Sequence, residues 1–135
     1  MTVIPTNRLH TQKFEIYILK DNIVYLRLFI GVLINLEDVK QVLDYQNKLS
    51  VDDSFYRIVH IEKYGSITNE ARKYLEINGL PAKREAYVLP TLPQKLIFNL
   101  YQKFRKRKHP LKGFHHISSA KKWLFETKSE YLESA

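Results

Sequence analysis

The side chains that could perform catalysis or bind a metal ion are few in this sequence, and none of them forms a recognised constellation. Cysteine is absent, which excludes a disulfide scaffold, a thiolate zinc site and a cysteine nucleophile. His115 and His116 are adjacent on a predicted strand, so their side chains point to opposite faces and do not readily share a metal ion. Ser118 and Lys121 have the Ser-x-x-Lys spacing of penicillin-recognising enzymes but lack the companion motifs. We therefore predict no catalytic residue, no metal, no cofactor and no enzymatic activity.

The densest charged segment is a basic run at residues 103–108, which lies within a longer stretch of one sign. The chain has a formal net charge of +8, and residues 86–125 contain nine lysines and arginines and no acid. Because basic side chains that neutralise phosphates release counterions, the run is a candidate anion-binding site for nucleic acid or anionic lipid. The alternative is a solvated helix end, where cations complement the helix dipole. The candidate residues are Lys103, Arg105, Lys106, Arg107 and Lys108.

Hydroxyl and imidazole groups in the middle of the chain have simple structural interpretations. Ser66 or Thr68 precedes a helical pattern and can serve as its N-cap, a role worth about 1 kcal/mol. His60 lies in an apolar run at residues 58–61, where a hydrogen-bonded core histidine is more common than a general base. These residues are therefore interpreted first as parts of the fold.

Length and composition indicate a single domain. The chain has 135 residues, of which 44% are hydrophobic, enough for one sizeable core and too short for two ordinary domains. Residues 1–12 are polar, lack the apolar segment of a signal peptide, and are expected to form a flexible arm. The most apolar stretch, residues 23–36, is shorter than the roughly 20 residues that cross a bilayer. We expect one cytoplasmic domain at residues 13–135.

Hydrophobic periodicity predicts that strands and helices alternate after an initial hairpin. A period of two over residues 14–19, the turn-forming pair Asp21-Asn22 and an apolar run at 23–30 predict two antiparallel strands. A helix capped by Asn35, a buried strand at 55–61 and a second helix follow in turn. The second helix is predicted to turn Ile67, Ala71, Tyr74 and Leu75 inward.

The C-terminal third continues this alternation. A short strand at residues 86–89 precedes a capping box of Thr91 and Gln94 and an amphipathic third helix. A strand at 114–117 and a last helix with Trp123 on its inward face complete the chain. The order β-β-α-β-α-β-α-β-α implies right-handed crossovers and an α/β fold with a mostly parallel sheet of four to five strands and about four helices. The apolar positions of the third helix are Leu92, Leu96, Ile97, Leu100, Tyr101 and Phe104.

Three segments, residues 67–75, 95–101 and 120–124, carry a resemblance to a known fold family. Together with the order of elements, they resemble the STAS domain, the fold of the bacterial anti-sigma-factor antagonists. The chain is more closely similar to a group of small uncharacterised bacterial proteins described as STAS-like or SEC14-like, over residues 13–126. The resemblance implies a STAS-like α/β domain.

The same resemblance implies where a partner binds. In antagonist-type STAS domains a phosphorylatable serine at the start of the second helix lies on the surface that docks a kinase, and phosphate on it blocks docking. The matching turn here is residues 64–71, where Glu70 stands at the position of that serine and the usual Asp-Ser-Ser-Gly run is missing. We therefore expect a non-enzymatic regulatory module that docks a protein partner and can self-associate as a dimer. Polyanion binding through residues 103–108 and a small apolar ligand between sheet and helices remain as alternatives. The expected partner-binding residues are Tyr64, Ser66, Thr68, Glu70 and Arg72.

Overall fold

The computed structural model of the protein describes residues 8–49, 55–105 and 109–125, which form eight strands and four α-helices. In chain order the elements are β1 (Arg8–His10), β2 (Phe14–Leu19), β3 (Ile23–Leu28), β4 (Leu33–Ile34), α1 (Leu36–Lys48), β5 (Tyr56–Ile61), β6 (Ser66–Ile67), α2 (Asn69–Asn78), β7 (Glu85–Val88), α3 (Leu92–Phe104), β8 (Leu111–Phe114) and α4 (Ile117–Leu124). A single 3-10 turn, Lys20–Asn22, links β2 to β3.

The main sheet has six strands in the order β1-β2-β3-β5-β7-β8. The pairs β1–β2 and β2–β3 are antiparallel, whereas β3–β5, β5–β7 and β7–β8 are parallel. The predicted α/β class, the opening hairpin and the four helices are therefore confirmed. The predicted count of four to five strands is wrong, because β1 adds an edge strand within the segment expected to be a flexible arm. That segment is ordered from Arg8 onward, since His10 pairs with Glu15 across the β1–β2 ladder; residues 1–7 lie outside the described part.

Two local features differ from the sequence-based expectation. A second, two-stranded parallel sheet joins β4 to β6, with Ile34 opposite Ile67, and was not predicted. The last strand begins at Leu111 rather than at residue 114, so His115 and His116 follow the strand instead of lying on it. Their rings are in contact, with centroids 4.7 Å apart, and the expected opposite orientation on a strand is therefore wrong.

The sheet is covered by helices on both faces. One core forms between the sheet and α1, α2 and α3, and it contains the predicted inward positions of α2. The other core lies under α4, whose buried side chains include Ala120, Trp123 and Leu124. Helix α2 packs mainly against α1, and a gap lies between α2 and α3.

Helix α3 is oriented by one aromatic side chain. Phe98 is buried and stacks on Tyr87 with ring centroids 5.0 Å apart. A Cβ at Gly113 would lie 2.9 Å from Phe98 Cε2, so the glycine allows the ring to approach the backbone of β8 closely. Because positions 96 and 100 are each two residues from Phe98, about 200° around a helix, their side chains point away from the sheet.

Candidate functional site

The turn at residues 64–72 projects from the carboxyl end of β5. Tyr64 is 77% exposed and has a φ of +63°, a conformation that is uncommon for a bulky residue. Gln94 at the start of α3 holds the turn, since its Nε2 donates to the carbonyl oxygens of Glu62 and Gly65 at 2.8 and 3.1 Å. The start of α3 and this turn are thus one connected surface.

The hydroxyl and charged residues predicted in this turn have different roles in the structure. Thr68 is the N-cap of α2, and its Oγ1 accepts a 3.1 Å hydrogen bond from the Ala71 amide. Ser66 lies in β6, and its side chain is exposed. Glu70 is exposed in the first turn of α2, where an acid complements the helix dipole. The sequence left two candidates for the cap, and the structure assigns it to Thr68.

Four large aliphatic side chains on α3 are exposed to solvent. Their exposed fractions lie between 58% and 66%, although the sequence pattern is typical of a helix with a buried apolar face. Ile97 is close to the gap between α2 and α3, and the other three positions recur at four-residue spacing along the outer side of the helix. This aliphatic stripe consists of Leu92, Leu96, Ile97 and Leu100.

A cleft of about 280 Å³ lies between α2 and α3, next to the aliphatic stripe. Apolar side chains of the sheet and of both helices form most of its lining, while the polar groups Ser66, Asn69, Arg72 and Gln94 belong to the turn and the helix starts. Ile97 belongs to both the cleft and the stripe. The apolar lining of this α2–α3 cleft consists of Ile61, Ile67, Leu75, Tyr87, Leu89, Ile97, Phe98 and Tyr101.

Arg72 is the charged residue of the α2–α3 cleft. Its guanidinium carbon lies 5.2 Å from the centroid of the Tyr101 ring, a cation–π contact that bridges α2 and α3. No hydrogen bond or ion pair joins the Arg72 guanidinium to any residue in the described part of the chain. Its five N–H donors are therefore available to a ligand.

The predicted anion-binding run is only partly described. Lys103 is exposed near the end of α3, and Arg105 Nη2 donates a 2.7 Å hydrogen bond to the His109 carbonyl. Arg105 is thus tied to the loop that precedes β8. The candidates Lys106, Arg107 and Lys108 lie outside the described residues.

A buried ion pair beneath the helices was not predicted from the sequence. Arg57 and Glu85 are register partners on β5 and β7, both side chains are 8% exposed, and Arg57 Nε lies 2.6 Å from Glu85 Oε2. His109 Nε2 lies 2.8 Å from the other carboxylate oxygen. Arg57 Nη1 is buried without a hydrogen-bond partner among the described residues. Arg57 also lines a cavity of about 20 Å³, a volume that suits one water molecule.

The positive charge and the hydrogen bonds around Glu85 determine its pKa. Burial alone would raise the pKa of this carboxyl group, but the charge of Arg57 and the hydrogen bonds from His109 and Arg57 outweigh it and lower the pKa to about 2. The pair is therefore ionised at neutral pH. In the sequence, the only sign of this pair is a charged residue near the start of each of two apolar strands. Such a charge does not identify the residue that pairs with it.

A second polar cluster lies on strands β1 to β3. Glu15 is buried and forms ion pairs with Arg8 and Arg27, and Arg27 Nε also lies 2.6 Å from Glu62 Oε1. His60, predicted to be a hydrogen-bonded core residue, lies with its Nδ1 2.8 Å from the Tyr25 hydroxyl oxygen and is half-buried. Burial lowers the pKa of His60 and raises the pKa of Tyr25 to about 12.

No group of three or more histidine, aspartate or glutamate side chains in the described ranges is placed to hold a metal ion. Among the helices that the structure describes, none is both long enough and apolar enough to cross a membrane.

The order and pairing of the elements define an α/β domain with a mixed, mostly parallel six-stranded sheet. Within that class the chain belongs to the family DUF7793, a domain of unknown function, which matches residues 17–128. Comparison with curated proteins and with solved structures finds no match.

Proposed function

We propose that this protein is a regulatory binding module without catalytic activity, which docks a protein partner on the aliphatic stripe of α3 and the adjoining turn at residues 64–72. The exposure of the stripe is the observation that carries this proposal. Contiguous apolar side chains on the surface of a folded domain are typical of sites that bind another macromolecule. Here they adjoin a turn in which an exposed tyrosine, Tyr64, has a strained backbone conformation.

Charge indicates the chemistry of the partner. Lys95 and Lys103 are exposed on α3, the same helix as the stripe, and residues 86–125 contain no acid. Complementary charges around an apolar contact increase association rate and specificity. The partner is therefore an amphipathic helix whose apolar side is bordered by aspartate and glutamate, bound as a helix against a hydrophobic surface.

Other occupants fit the surface less well. A second copy docked through α3 would place its Lys95 and Lys103 near the same residues of the first. Nucleic acid gains affinity from contacts to its phosphates, and aliphatic side chains cannot make such contacts.

The STAS-like resemblance supports the same surface. It places kinase docking in antagonist-type domains at the start of the second helix, which here is the turn at residues 64–72. We extend the proposal accordingly to a STAS-like regulator of the cytoplasm, a reducing compartment with which the absence of cysteine agrees.

Site-specific photo-cross-linking tests the proposal. A photoreactive residue at position 96 should capture a partner that the same residue at position 77 does not, because Ile77 is also apolar and exposed but lies on α2. The captured protein must then bind the purified chain. The double variant Leu96→Gln, Leu100→Gln should weaken that binding at least tenfold, whereas Ile77→Gln should not change it.

Three alternative ligands are measured with the same variants. At 0.15 M NaCl, they are a second copy by sedimentation, phosphatidylserine vesicles by co-pelleting, and duplex DNA by fluorescence anisotropy. Saturable binding of any of them that is lost in Leu96→Gln, Leu100→Gln, with no captured acidic protein, would overturn the proposal. A captured partner whose binding is the same in both variants would do so too.

A further inference from the structure

The α2–α3 cleft has the properties of a small-molecule site that is separate from the aliphatic stripe. Its volume of about 280 Å³ is close to the lower end of ligand pockets, roughly 300–1,000 Å³. Its lining is mostly apolar with a few polar groups, as in most ligand sites. The stripe, in contrast, is convex and continues beyond the cleft on the outer side of α3. A ligand in the cleft would therefore leave most of the stripe exposed.

The charged lining residue of the cleft, Arg72, favours an anion. The Arg72 guanidinium lies over the Tyr101 ring and has no other partner among the described residues, so it is held in place while its donors stay free. A planar guanidinium matches a carboxylate with two parallel hydrogen bonds. Arg72 lies in the first turns of α2, where the helix dipole also favours negative charge. The exposed residues Ser66 and Asn69 also line the cleft.

The apolar part of the cleft sets the size of the ligand. A volume of 280 Å³ holds roughly nine groups of the size that a liquid water molecule occupies, about 30 Å³ each. We propose that the α2–α3 cleft binds a small amphiphilic monocarboxylate, with an apolar body of about eight to ten carbons in the cleft and its carboxylate on Arg72. A neutral ligand would leave the guanidinium unused, and a cationic one would be repelled by it.

Calorimetric titration of the full chain with short fatty acids tests this proposal. The probes are hexanoate, octanoate and decanoate below their micelle concentrations, with 1-octanol as the uncharged match for octanoate. Affinity should rise about fourfold for each added methylene group, because each one buries further apolar surface. Octanoate should bind at least tenfold more tightly than 1-octanol, because only the carboxylate engages Arg72.

Matched variants locate the binding site. Arg72→Met should weaken octanoate binding at least tenfold and leave 1-octanol binding unchanged, and Arg72→Lys, which keeps the charge but not the paired donors, should have an intermediate effect. Lys73→Met is the control, because this neighbouring lysine is exposed on α2 and does not line the cleft. Leu96→Gln, Leu100→Gln should leave octanoate binding unchanged, so this proposal and partner docking can fail independently.

Several results would overturn the carboxylate assignment. These are octanoate binding no tighter than that of 1-octanol, equal losses in Arg72→Met and Lys73→Met, or loss of binding in the stripe variant alone. Octyl phosphate binding tenfold more tightly than octanoate would also replace the proposed ligand class. The urea midpoint of each variant, compared with that of the unmodified chain, confirms that the variants are folded during the titration.

Discussion

At the scale of single residues, the buried carboxylate of Glu85 makes the stability of the fold depend on pH. Its two oxygens are bound by Arg57 and His109, and these contacts hold its pKa at about 2, below the ordinary value of 4.5. A group whose pKa is lower in the folded state stabilises the fold above its unfolded pKa, and that contribution is lost as pH falls toward the folded pKa. The relevant window is therefore pH 4.5 down to about 2.

We predict that Glu85→Gln removes part of the acid sensitivity of the protein. Over this window the unmodified chain should lose about 3 kcal/mol of unfolding free energy through Glu85, since one pKa unit corresponds to about 1.4 kcal/mol. Urea unfolding at a series of pH values measures it. The slope below pH 4.5 should be shallower in Glu85→Gln and unchanged in Glu70→Gln, which replaces an exposed acid.

The single variant also leaves Arg57 buried and unpaired, which typically costs about 3–5 kcal/mol. If it does not fold, the double variant Arg57→Met, Glu85→Gln, which also removes the buried guanidinium, replaces it in the same titration. An acid slope equal to that of the unmodified chain in either variant contradicts the role given to Glu85.

Tyr64 is a second residue that affects stability, here through its backbone conformation and not through packing. A bulky side chain in the left-handed region costs about 1–2 kcal/mol, and glycine has no such cost. We predict that Tyr64→Gly is as stable as the unmodified chain or more stable by about 1 kcal/mol, after the entropy that glycine adds to the unfolded state. Thermal and urea unfolding measure this change. Lys63→Gly, one residue earlier and without positive φ, should instead be destabilised, and equal losses in both variants would disprove the strain.

Sequence reasoning located side chains better when their partners were near in the chain. Asn35 was predicted as a cap from its neighbours, and it does accept from the Asp38 amide at 3.0 Å. The Arg57–Glu85 pair joins residues 28 positions apart, and only the strand register brings them together. A charge in an apolar context shows that a partner is needed, but the sequence contains nothing that says which residue supplies it.

At the scale of elements, the orientation of α3 is the point on which periodicity and structure differ. The sequence predicts an amphipathic helix correctly, but the same four aliphatic residues would suit a core face and a docking face equally well. The contact of Phe98 with Gly113 decides between them, and it depends on where β8 lies. The sequence did not predict that β8 spans Leu111–Phe114. The side of α3 that faces the sheet therefore could not be predicted from the sequence.

Substitutions on opposite sides of α3 test this orientation. Leu96→Gln should change the unfolding free energy by less than about 0.5 kcal/mol, because its side chain is already exposed. Phe98→Ala should cost about 3–5 kcal/mol, because it leaves a cavity between α3, β7 and β8. Chemical denaturation of the two variants measures the difference. A larger loss for Leu96→Gln than for Phe98→Ala would place the stripe in the core.

At the scale of the whole molecule, the positive excess is confined to one segment. Outside residues 86–125 the chain has 13 basic and 14 acidic side chains, so the net charge belongs to the segment that contains α3 and β8. The Debye length is about 8 Å at 0.15 M salt, which screens distant charges but not those that face each other across a close contact. The aliphatic stripe therefore promotes contact between copies, while the lysines on the same helix oppose it.

This balance predicts self-association that depends on salt. At 0.15 M NaCl the protein should sediment as a monomer, and at 1 M NaCl, where the Debye length is about 3 Å, its mass should rise toward that of a dimer. Burial of the stripe persists in high salt, whereas the repulsion is screened. Leu96→Gln, Leu100→Gln should abolish the rise and Ile77→Gln should retain it. A dimer that is stable at both salt concentrations would show that the lysines do not oppose self-association, and a monomer at both would show that the stripe does not bind itself.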